Sequence, residues 1–498
     1  MARVAFCQNV MVEQMGVMCV SAVLKDAGHT TEIFFDDQRR PDRFMKELAD
    51  FEPDIVAFSI LTPSAPWALQ MVKRVKQEID AITVLGNVHA IVCPAIIEEP
   101  GVDIVCLGEG EFPMRDLCAR IDAGEEYSSI DGFWVKTDTG IVKNPMCAEL
   151  VDLDAMPFHD RPLYDKYGFF RHSHYLRLVL GRGCPFRCAF CTNPVLADKY
   201  GRKRYVRKLS PERAIAEIDH TIRSRPAKVK FIFFADEVFW VTNAWLREFC
   251  TLYKERIRIP FCAAFRFGPI AEEDVQLMAE AGCKAVSFAF ETGDEKQRRE
   301  LMNKNVSDEL ILELSGLLRK CNISYCASAF FGLPGDTFDD HIQRLAFYRK
   351  TNPTYLWTTF FQPYPGTPLS EHPEVKKALP EAKAFEATFH GDMYLDLPDR
   401  ERLVALKKVY FLCMKLPWLE PLLVWLTRYR IPLLFDFLFF LHFTYYVFVF
   451  ERVSPIQWLV HLKVFALNPL LQEHSSLQNT GKPYEAPQRG SRKRPDRD

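Results

Sequence analysis

The chain has 498 residues, 48% of them hydrophobic and 26% charged, with a formal net charge of −2. That length allows two to four domains with sizeable cores, and the near-neutral balance excludes a protein that works by bulk charge on nucleic acid. Its 15 cysteines, irregularly scattered and odd in number, exclude a secreted disulfide scaffold and point to a reducing compartment, read as the cytoplasm.

Residues 1–150 alternate β-branched runs with helical spacing. Arg3–Cys7 reads as a strand, and no apolar core or cleavage site of a signal peptide precedes it. Gly16–Ala27 reads as a helix closed by Gly28; Thr31–Phe35, Ile55–Ser59, Ile82–Leu85 and Ile104–Leu107 read as strands. Pro66–Ile79 and Pro113–Ile121 have helical spacing and open on a proline, which the first helical position tolerates. The alternation predicts a doubly wound, Rossmann-like parallel sheet that binds ligands at the carboxyl ends of its strands. The loops at those ends carry Ser59-Ile60-Leu61-Thr62, Gly86-Asn87-Val88-His89 and Gly108-Glu109-Gly110-Glu111. Gly86, Gly108 and Gly110 let backbone approach a bulky ligand, and Ser59 and Thr62 can donate to it. His89 can cap a helix or bond backbone and receives no role.

Between residues 125 and 174 the pattern changes. Gly132–Val135 and Gly140–Val142 read as a small hairpin, and the prolines at 157 and 162 mark an extended linker over 151–174. From Tyr175 to about Pro365 strand–helix alternation returns six times, with strands at Leu176–Leu180, Lys230–Ala235, Pro260–Phe265, Ala285–Phe290, Ser324–Phe331 and Tyr355–Gln362. Charged helices such as Pro211–Arg223, Glu272–Ala281, Asp308–Lys320 and Thr337–Lys350 lie between them. Six repeats fit an open, TIM-like (β/α)6 partial barrel with its chemistry at the carboxyl ends. Those ends carry Asp236 and Glu237, then Arg266, Glu291, and the Gly332–Asp336 loop.

The first of these strands runs into Gly181-Arg182-Gly183-Cys184-Pro185-Phe186-Arg187-Cys188-Ala189-Phe190-Cys191. Three thiolates on one loop can hold three irons of a cubane and leave the fourth open. Gly181, Gly183 and Pro185 suit a loop that folds closely around it. Three inert buried cysteines are the bland alternative, and a structural zinc site would want a fourth ligand that no following C-x2-C pair supplies.

Beyond Glu371 the pattern is helical, with Arg400–Lys415 amphipathic. Ile431–Phe450 is nearly long enough to span a bilayer, but Asp436 and His442 are expensive there. Trp418, Trp425 and Trp458 lie in neighbouring apolar segments. Helices lying in a membrane surface and a hydrophobic cap over the barrel mouth are the two readings. Residues 472–498 are polar and expected to be disordered, with a basic Ser491-Arg492-Lys493-Arg494 near the end.

The cysteine loop, with Phe190 before its last cysteine, resembles the hallmark of the radical S-adenosylmethionine (SAM) superfamily. The resemblance implies a [4Fe–4S] cluster on Cys184, Cys188 and Cys191 whose open iron binds SAM, and one-electron cleavage of SAM to a 5′-deoxyadenosyl radical. It places Phe190 beside SAM, Asp236 on its amino group and Glu291 on the ribose hydroxyls; Gly332 and Gly335 let their loop reach the adenine, and Arg266 reads equally as a bidentate partner of the SAM carboxylate and as a buried ion pair inside the barrel. The first 150 residues resemble the cobalamin-binding domain that precedes many radical SAM domains. Ser59, Leu61 and Thr62 match its S-x-L segment, Gly86 with Asn87 its glycine pair, and Gly108, Glu109, Gly110 and Glu111 its Gly-Glu-Gly-Glu loop. One departure stands out. If Gly16 is the glycine of D-x-H-x-x-G, the cobalt-ligand position is Glu13 and the aspartate position Met11, so no histidine reaches the lower face of cobalamin. A doubly wound domain that has lost its ligand is the alternative.

The resemblance extends to the subgroup of hopanoid methylases and the anaerobic magnesium-protoporphyrin ester cyclase. It implies a cobalamin-dependent C-methyltransferase acting on an apolar or lipid-like small molecule, with flavodoxin or ferredoxin as electron donor. The alternatives are a radical oxidative cyclase or carbon–carbon coupling enzyme and, from another class, a non-catalytic cobalamin or redox sensor. The expected division is 1–150 cobalamin-binding, 151–174 linker, 175–400 barrel, 401–471 hydrophobic helices and 472–498 tail. The expected location is the cytoplasm, peripheral on the inner face of the membrane, with no nucleic-acid partner.

Overall fold

The strands expected in the N-terminal third form as β1 (Arg3–Gln8), β2 (Thr30–Phe35), β3 (Ile55–Ser59), β4 (Ile82–Gly86) and β5 (Ile104–Cys106). The computed structural model describes residues 1–10, 12–36, 40–147, 150–265, 268, 270–379 and 393–450. The five strands run parallel in the order β2-β1-β3-β4-β5. Val4, Ala5, Ile55, Val56, Leu85, Ile104 and Val105 along them are fully buried, because helices cover both faces. The order reverses between β1 and β3, so the ligand crevice of the sheet opens at their carboxyl ends.

The sheet departs from a purely parallel one. The hairpin β6 (Phe133–Thr137) and β7 (Gly140–Lys143) joins it antiparallel, with Phe133 opposite Cys106 and Val135 opposite Ile104. Burying Phe133 and Val135 against Pro113 and its neighbours makes the hairpin part of this unit rather than a free excursion. The linker is not extended either. Pro162 sits at the opening of a short 3-10 turn, Arg161–Tyr164, followed by one helical turn, Gly168–Arg171. Tyr164 Oη donates to Gln8 Oε1 (2.7 Å), and Asp160 accepts from Ser21 (2.5 Å) and pairs with Lys25 (2.7 Å). The segment is thereby fastened to β1 and to the first helix, Met15–Asp26.

The second sheet contains β8 (Tyr175–Leu178), β11 (Phe231–Phe234), β12 (Phe261–Ala264), β13 (Cys283–Phe288), β14 (Ser324–Phe331) and β15 (Tyr355–Phe360). They are all parallel and adjacent in sequence order, and β8 and β15 are left as the edges, which makes the barrel open. Between β8 and β11 lies a two-residue antiparallel ladder, β9 (Gly181–Arg182) with β10 (Arg207–Lys208). Phe234, Phe239, Phe249, Tyr253 and Phe261 interlock edge to face in the barrel wall and are fully buried.

The helix Arg400–Lys415 forms as expected and packs over β15 and the helix Phe338–Thr351; Tyr410 Oη donates to His341 O (2.6 Å). The apolar run forms one helix, Pro432–Val449, long and apolar enough by length and composition to cross a membrane. Asp436 and His442 reach protein: Asp436 pairs with Lys408, and His442 bonds Tyr355 Oη (2.9 Å) and Lys408 O (2.9 Å). One side is therefore a cap on Arg400–Lys415, while Leu433 (84% exposed), Phe437 (57%), Leu441 (48%) and Tyr445 point outward. Trp418 (76% exposed), Leu422 and Trp425 extend the outward apolar surface. Trp458 and the 472–498 tail lie outside the described residues.

Candidate active site

β8 hands the chain to the cysteine loop through Leu180–Gly183, and β10 straps this passage from the side. At Gly181 a Cβ would collide with the Lys208 side chain and lie 2.6 Å from Arg207 O; at Gly183, where φ is +85°, it would lie 2.6 Å from Tyr205 O. These glycines therefore answer to the strap, not to space around the cysteines as the sequence led us to expect. Further along, Ala189 N–H donates to Met302 O (2.8 Å), Leu369 N–H to Ala189 O (2.9 Å) and the Asn303 amide to Arg187 O (2.9 Å), which ties the loop to the barrel. Phe190 meets Phe330 edge to face at 5.0 Å.

Cys184, Cys188 and Cys191 are free and half-buried. The Cys191 sulfur accepts from the Asn193 backbone N–H (3.5 Å) and side-chain amide (3.6 Å), a donor set that suits a thiolate. Burial pushes the Cys184 thiol up to about 12 and the Cys188 thiol up to about 11, so metal must take the place of the proton for these groups to become ligands. Among the described residues no three His, Cys, Asp or Glu groups converge as a single-ion site requires. A cubane makes no such demand, since its three thiolates bind three different irons. The loop fits a cubane.

Glu291 stands just past β13 with φ +70°, a left-handed conformation that costs a non-glycine residue about 1–3 kcal/mol. Its carboxylate accepts from Ser328 Oγ (2.6 Å) and pairs with Lys304 (3.1 Å), while Ser328 Oγ also accepts the Glu291 N–H (3.1 Å). Lys304 and Glu291 both act electrostatically on Cys188, which puts this strained carboxylate next to the cysteines. Lys304 and Ser328 were not picked out from the sequence, and only the inward alternation of β14 hinted at Ser328.

Asp236 corrects an expectation. It is buried, pairs with Lys208 and accepts the Leu180 N–H with both oxygens (3.0 and 3.1 Å). It is engaged at the entry to the cysteine loop, with Lys208 as its cation. The next residue, Glu237, is exposed and acts electrostatically on Cys184. Gly332 and Gly335 both take φ +77°, but Met393 lies 3.4 Å from a Cβ at Gly332 and Glu374 3.7 Å from one at Gly335. Their conformation is needed for the turn, and Met393 and Leu397 are the neighbours at Gly332. Arg266 lies outside the described residues.

At the carboxyl ends of β3–β5 the predicted cobalamin residues gather on one rim. Asn87, at φ +77°, caps the short helix Val88–Val92 through Oδ1 (2.7 Å to Val88 N) and donates to Ser59 Oγ (3.0 Å). Thr62 Oγ1 sits 3.2 Å from His89 Nδ1, and burial lowers His89 to about 4, so it stays neutral at physiological pH. Leu61 is 49% exposed at the rim. A Cβ at Gly86 would touch only Cys106 (3.6 Å), and one at Gly110 would meet nothing nearer than 3.5 Å. The chain does not itself require these two to be glycine, since a Cβ would sit at ordinary van der Waals distance from its neighbours at both. Gly108 does need its φ of +145°.

Glu109 departs from the cobalamin set. Its carboxylate binds Arg182 (2.6 Å) and Arg207, and accepts the Val151 N–H (3.0 Å). Burial alone would raise this carboxyl, and the two guanidinium groups outweigh it and hold it below the usual range. Glu13, in the cobalt-ligand position, is likewise committed: Arg161 and Arg225 each hold it at 3.2 Å. Val88 and Ile91 of the N-terminal unit pack on Leu196, Ala197 and Tyr205, just past the cysteines. The cobalamin rim and the cysteine loop therefore meet at one joint.

Residues 5–118 match the B12 binding domain family and residues 178–347 the Radical SAM superfamily. The chain is 25% identical over 336 residues to an uncharacterised methyltransferase of Pyrococcus horikoshii, covering 66% of this chain and 71% of that one. It is 26% identical over 370 residues to the anaerobic magnesium-protoporphyrin IX monomethyl ester cyclase of Rubrivivax gelatinosus, covering 71% of this chain and 65% of the cyclase. A radical SAM methyltransferase of Kitasatospora setae, solved with tryptophan substrate and a SAM analogue, shares the fold with a TM-score of 0.61 at 19% identity, covering 74% of this chain and 75% of that one. The chain carries a B12-binding domain ahead of a radical SAM domain. It is a radical SAM enzyme whose cofactors are a [4Fe–4S] cluster, SAM and cobalamin, working on a small molecule with an external electron donor.

Proposed function

We propose that the enzyme transfers a methyl group to carbon of an apolar, lipid-like small molecule. The observation that carries this reading is the joint itself, where the rim at the ends of β4 and β5 packs, through Val88 and Ile91, beside the cysteine loop. When bound, the cluster supplies the electron that cleaves SAM and cobalamin carries the methyl group. The chain's own residues bind and orient. Cys184, Cys188 and Cys191 hold the cluster, Phe190 flanks it, and Glu291, fixed by Ser328 and Lys304, takes the ribose hydroxyls. Glu237 rather than Asp236 takes the SAM ammonium, because Lys208 and Leu180 occupy Asp236. Arg266 remains our assignment for the SAM carboxylate. Ser59, Leu61, Thr62, Gly86, Asn87, Gly108 and Gly110 line the cobalamin rim.

Two features argue for the alternatives and against them. The likeness to the magnesium-protoporphyrin cyclase favours a radical cyclisation or coupling without methyl transfer. A non-catalytic sensor has no use for the strained, twice-held Glu291 beside the cysteines. The products of SAM separate the readings: methyl transfer gives S-adenosylhomocysteine beside 5′-deoxyadenosine, cyclisation or coupling the latter alone, and a sensor neither.

Because Glu13 is held by two arginines, cobalamin is expected to bind with no protein nitrogen on cobalt. Spin-resonance spectra of the Co(II) form should then lack hyperfine splitting from an axial imidazole. A splitting that disappears in His89→Ala would overturn this.

The outward face of Pro432–Val449, with Trp418 and Trp425 beside it, supports a peripheral seat on the inner face of the membrane, from which an apolar substrate would reach the barrel without crossing water. Reduced flavodoxin or ferredoxin would serve as the electron donor. The full chain is expected to float with liposomes, and Phe437→Glu with Leu441→Glu to abolish flotation at unchanged thermal stability. Flotation by neither protein would make the helix a cap only.

A further inference from the structure

The cysteine loop is anchored by two different bodies. Its second half hangs on the barrel through Ala189 and Arg187, whose partners are Met302, Leu369 and Asn303. Its first turn is held from the N-terminal unit. Arg182, two residues before Cys184, forks between Glu109 (2.6 Å) and Glu111 of the Gly-Glu-Gly-Glu loop. All three side chains are largely buried at the joint. Arginine's planar fork can serve two carboxylates at once in a way that a lysine cannot.

The strap repeats the arrangement. Arg207 lies opposite Arg182 in the β9–β10 ladder and sends its side chain to the same Glu109, and to Val151 O (2.7 Å). Lys208, next along β10, goes instead to Asp236 in the barrel, which in turn accepts the Leu180 N–H. Neighbouring residues of a strand face opposite ways, so β10 ties one unit with one side chain and the other unit with the next. Gly181 and Gly183 leave this segment no freedom to slide under the strap.

We propose that Arg182, gripped by Glu109 and Glu111, is a positioning residue that fixes where the cluster loop stands relative to the cobalamin rim, and that Glu109 acts on the reaction through Arg182 without touching cobalamin. The proposal rests on the reading of the joint as a two-cofactor site, and it reassigns Glu109, which the family resemblance placed in the cobalamin loop. Charge pairing sets the spacing here because Arg182 bridges two carboxylates of one unit from a strand that belongs to the other.

A double-mutant cycle on the full-length reconstituted enzyme tests it, with Glu109→Gln, Arg182→Gln and both together. Two quantities are read: the change that SAM induces in the spin-resonance spectrum of the reduced cluster, and cobalamin affinity by absorbance titration. Each single variant should reduce the spectral change and slow SAM cleavage at least about tenfold, the double should be no worse than the poorer single, and cobalamin affinity should fall less than about threefold. Arg182→Lys, which keeps the charge and reaches one carboxylate, should fall in between. A Glu109→Gln enzyme that loses cobalamin affinity about tenfold with an unchanged cluster spectrum would make Glu109 a cobalamin ligand and overturn the proposal; so would single effects that multiply in the double. Hydrogen exchange of residues 180–191 in the protein without cofactors keeps the test independent of the proposed reaction. Exchange there should quicken in Glu109→Gln and Arg182→Gln while the helix Pro211–Ser224 stays protected. Unchanged exchange would contradict the clamp even if the wild-type enzyme proved not to bind cobalamin at all.

Discussion

Alanine at any one of Cys184, Cys188 or Cys191 is expected to abolish 5′-deoxyadenosine formation. Three thiolates are the minimum that holds a cubane while leaving an iron open, so losing one leaves two ligands and an unstable cluster. The fold should survive, because the three side chains are half-buried and the loop keeps its anchors at Met302, Leu369 and Asn303. Iron content and visible absorbance after anaerobic reconstitution check the ligand role, and thermal unfolding checks the fold. A single variant with full absorbance and turnover would mean the cluster is held elsewhere.

The second large effect is at Glu291. Glutamine there keeps the shape but removes the charge that faces Lys304, whose ammonium keeps Ala289 O; a hydrogen bond to a charged group is worth about 1.5–3 kcal/mol, roughly one to two powers of ten in an equilibrium. The loss should fall mainly on SAM, as a KM for SAM raised about tenfold to a hundredfold, with the cluster spectrum without SAM unchanged. Glu291→Gly separates strain from function. It relieves the left-handed backbone, worth about 1–2 kcal/mol, and removes the carboxylate, so it should be as inactive as the glutamine variant yet unfold at a higher temperature than that variant. Equal KM values for SAM in wild type and Glu291→Gln would remove Glu291 from the SAM site.

The repeating layers were legible because their physics is local. Burial on both faces writes near-continuous apolar runs, so β3 and β14 begin and end where the sequence placed them, as does the helix Arg400–Lys415. The cysteine spacing was legible for the same reason, being a single loop. What the sequence hid is pairing between distant segments. Nothing near Asp236 says that Lys208 will neutralise it, and nothing near Glu109 announces Arg182 and Arg207. Both acids looked like ligands for that reason. The apolar run was half legible: its composition showed no polar face, but Asp436 and His442 turn to Lys408 and Tyr355, partners that only the tertiary fold supplies.

Transfer of a labelled methyl group tests the central claim most directly. The full-length enzyme, reconstituted anaerobically with iron, sulfide and cobalamin and given a chemical reductant, would be incubated with cell lipid extract and SAM carrying a deuterated methyl group. The account expects the deuterated methyl in an extractable product, with S-adenosylhomocysteine and 5′-deoxyadenosine both formed, and neither label transfer nor S-adenosylhomocysteine when cobalamin is omitted. Consumption of a lipid with 5′-deoxyadenosine as the sole SAM product and no label in it would contradict methyl transfer and leave a radical cyclisation or coupling in its place.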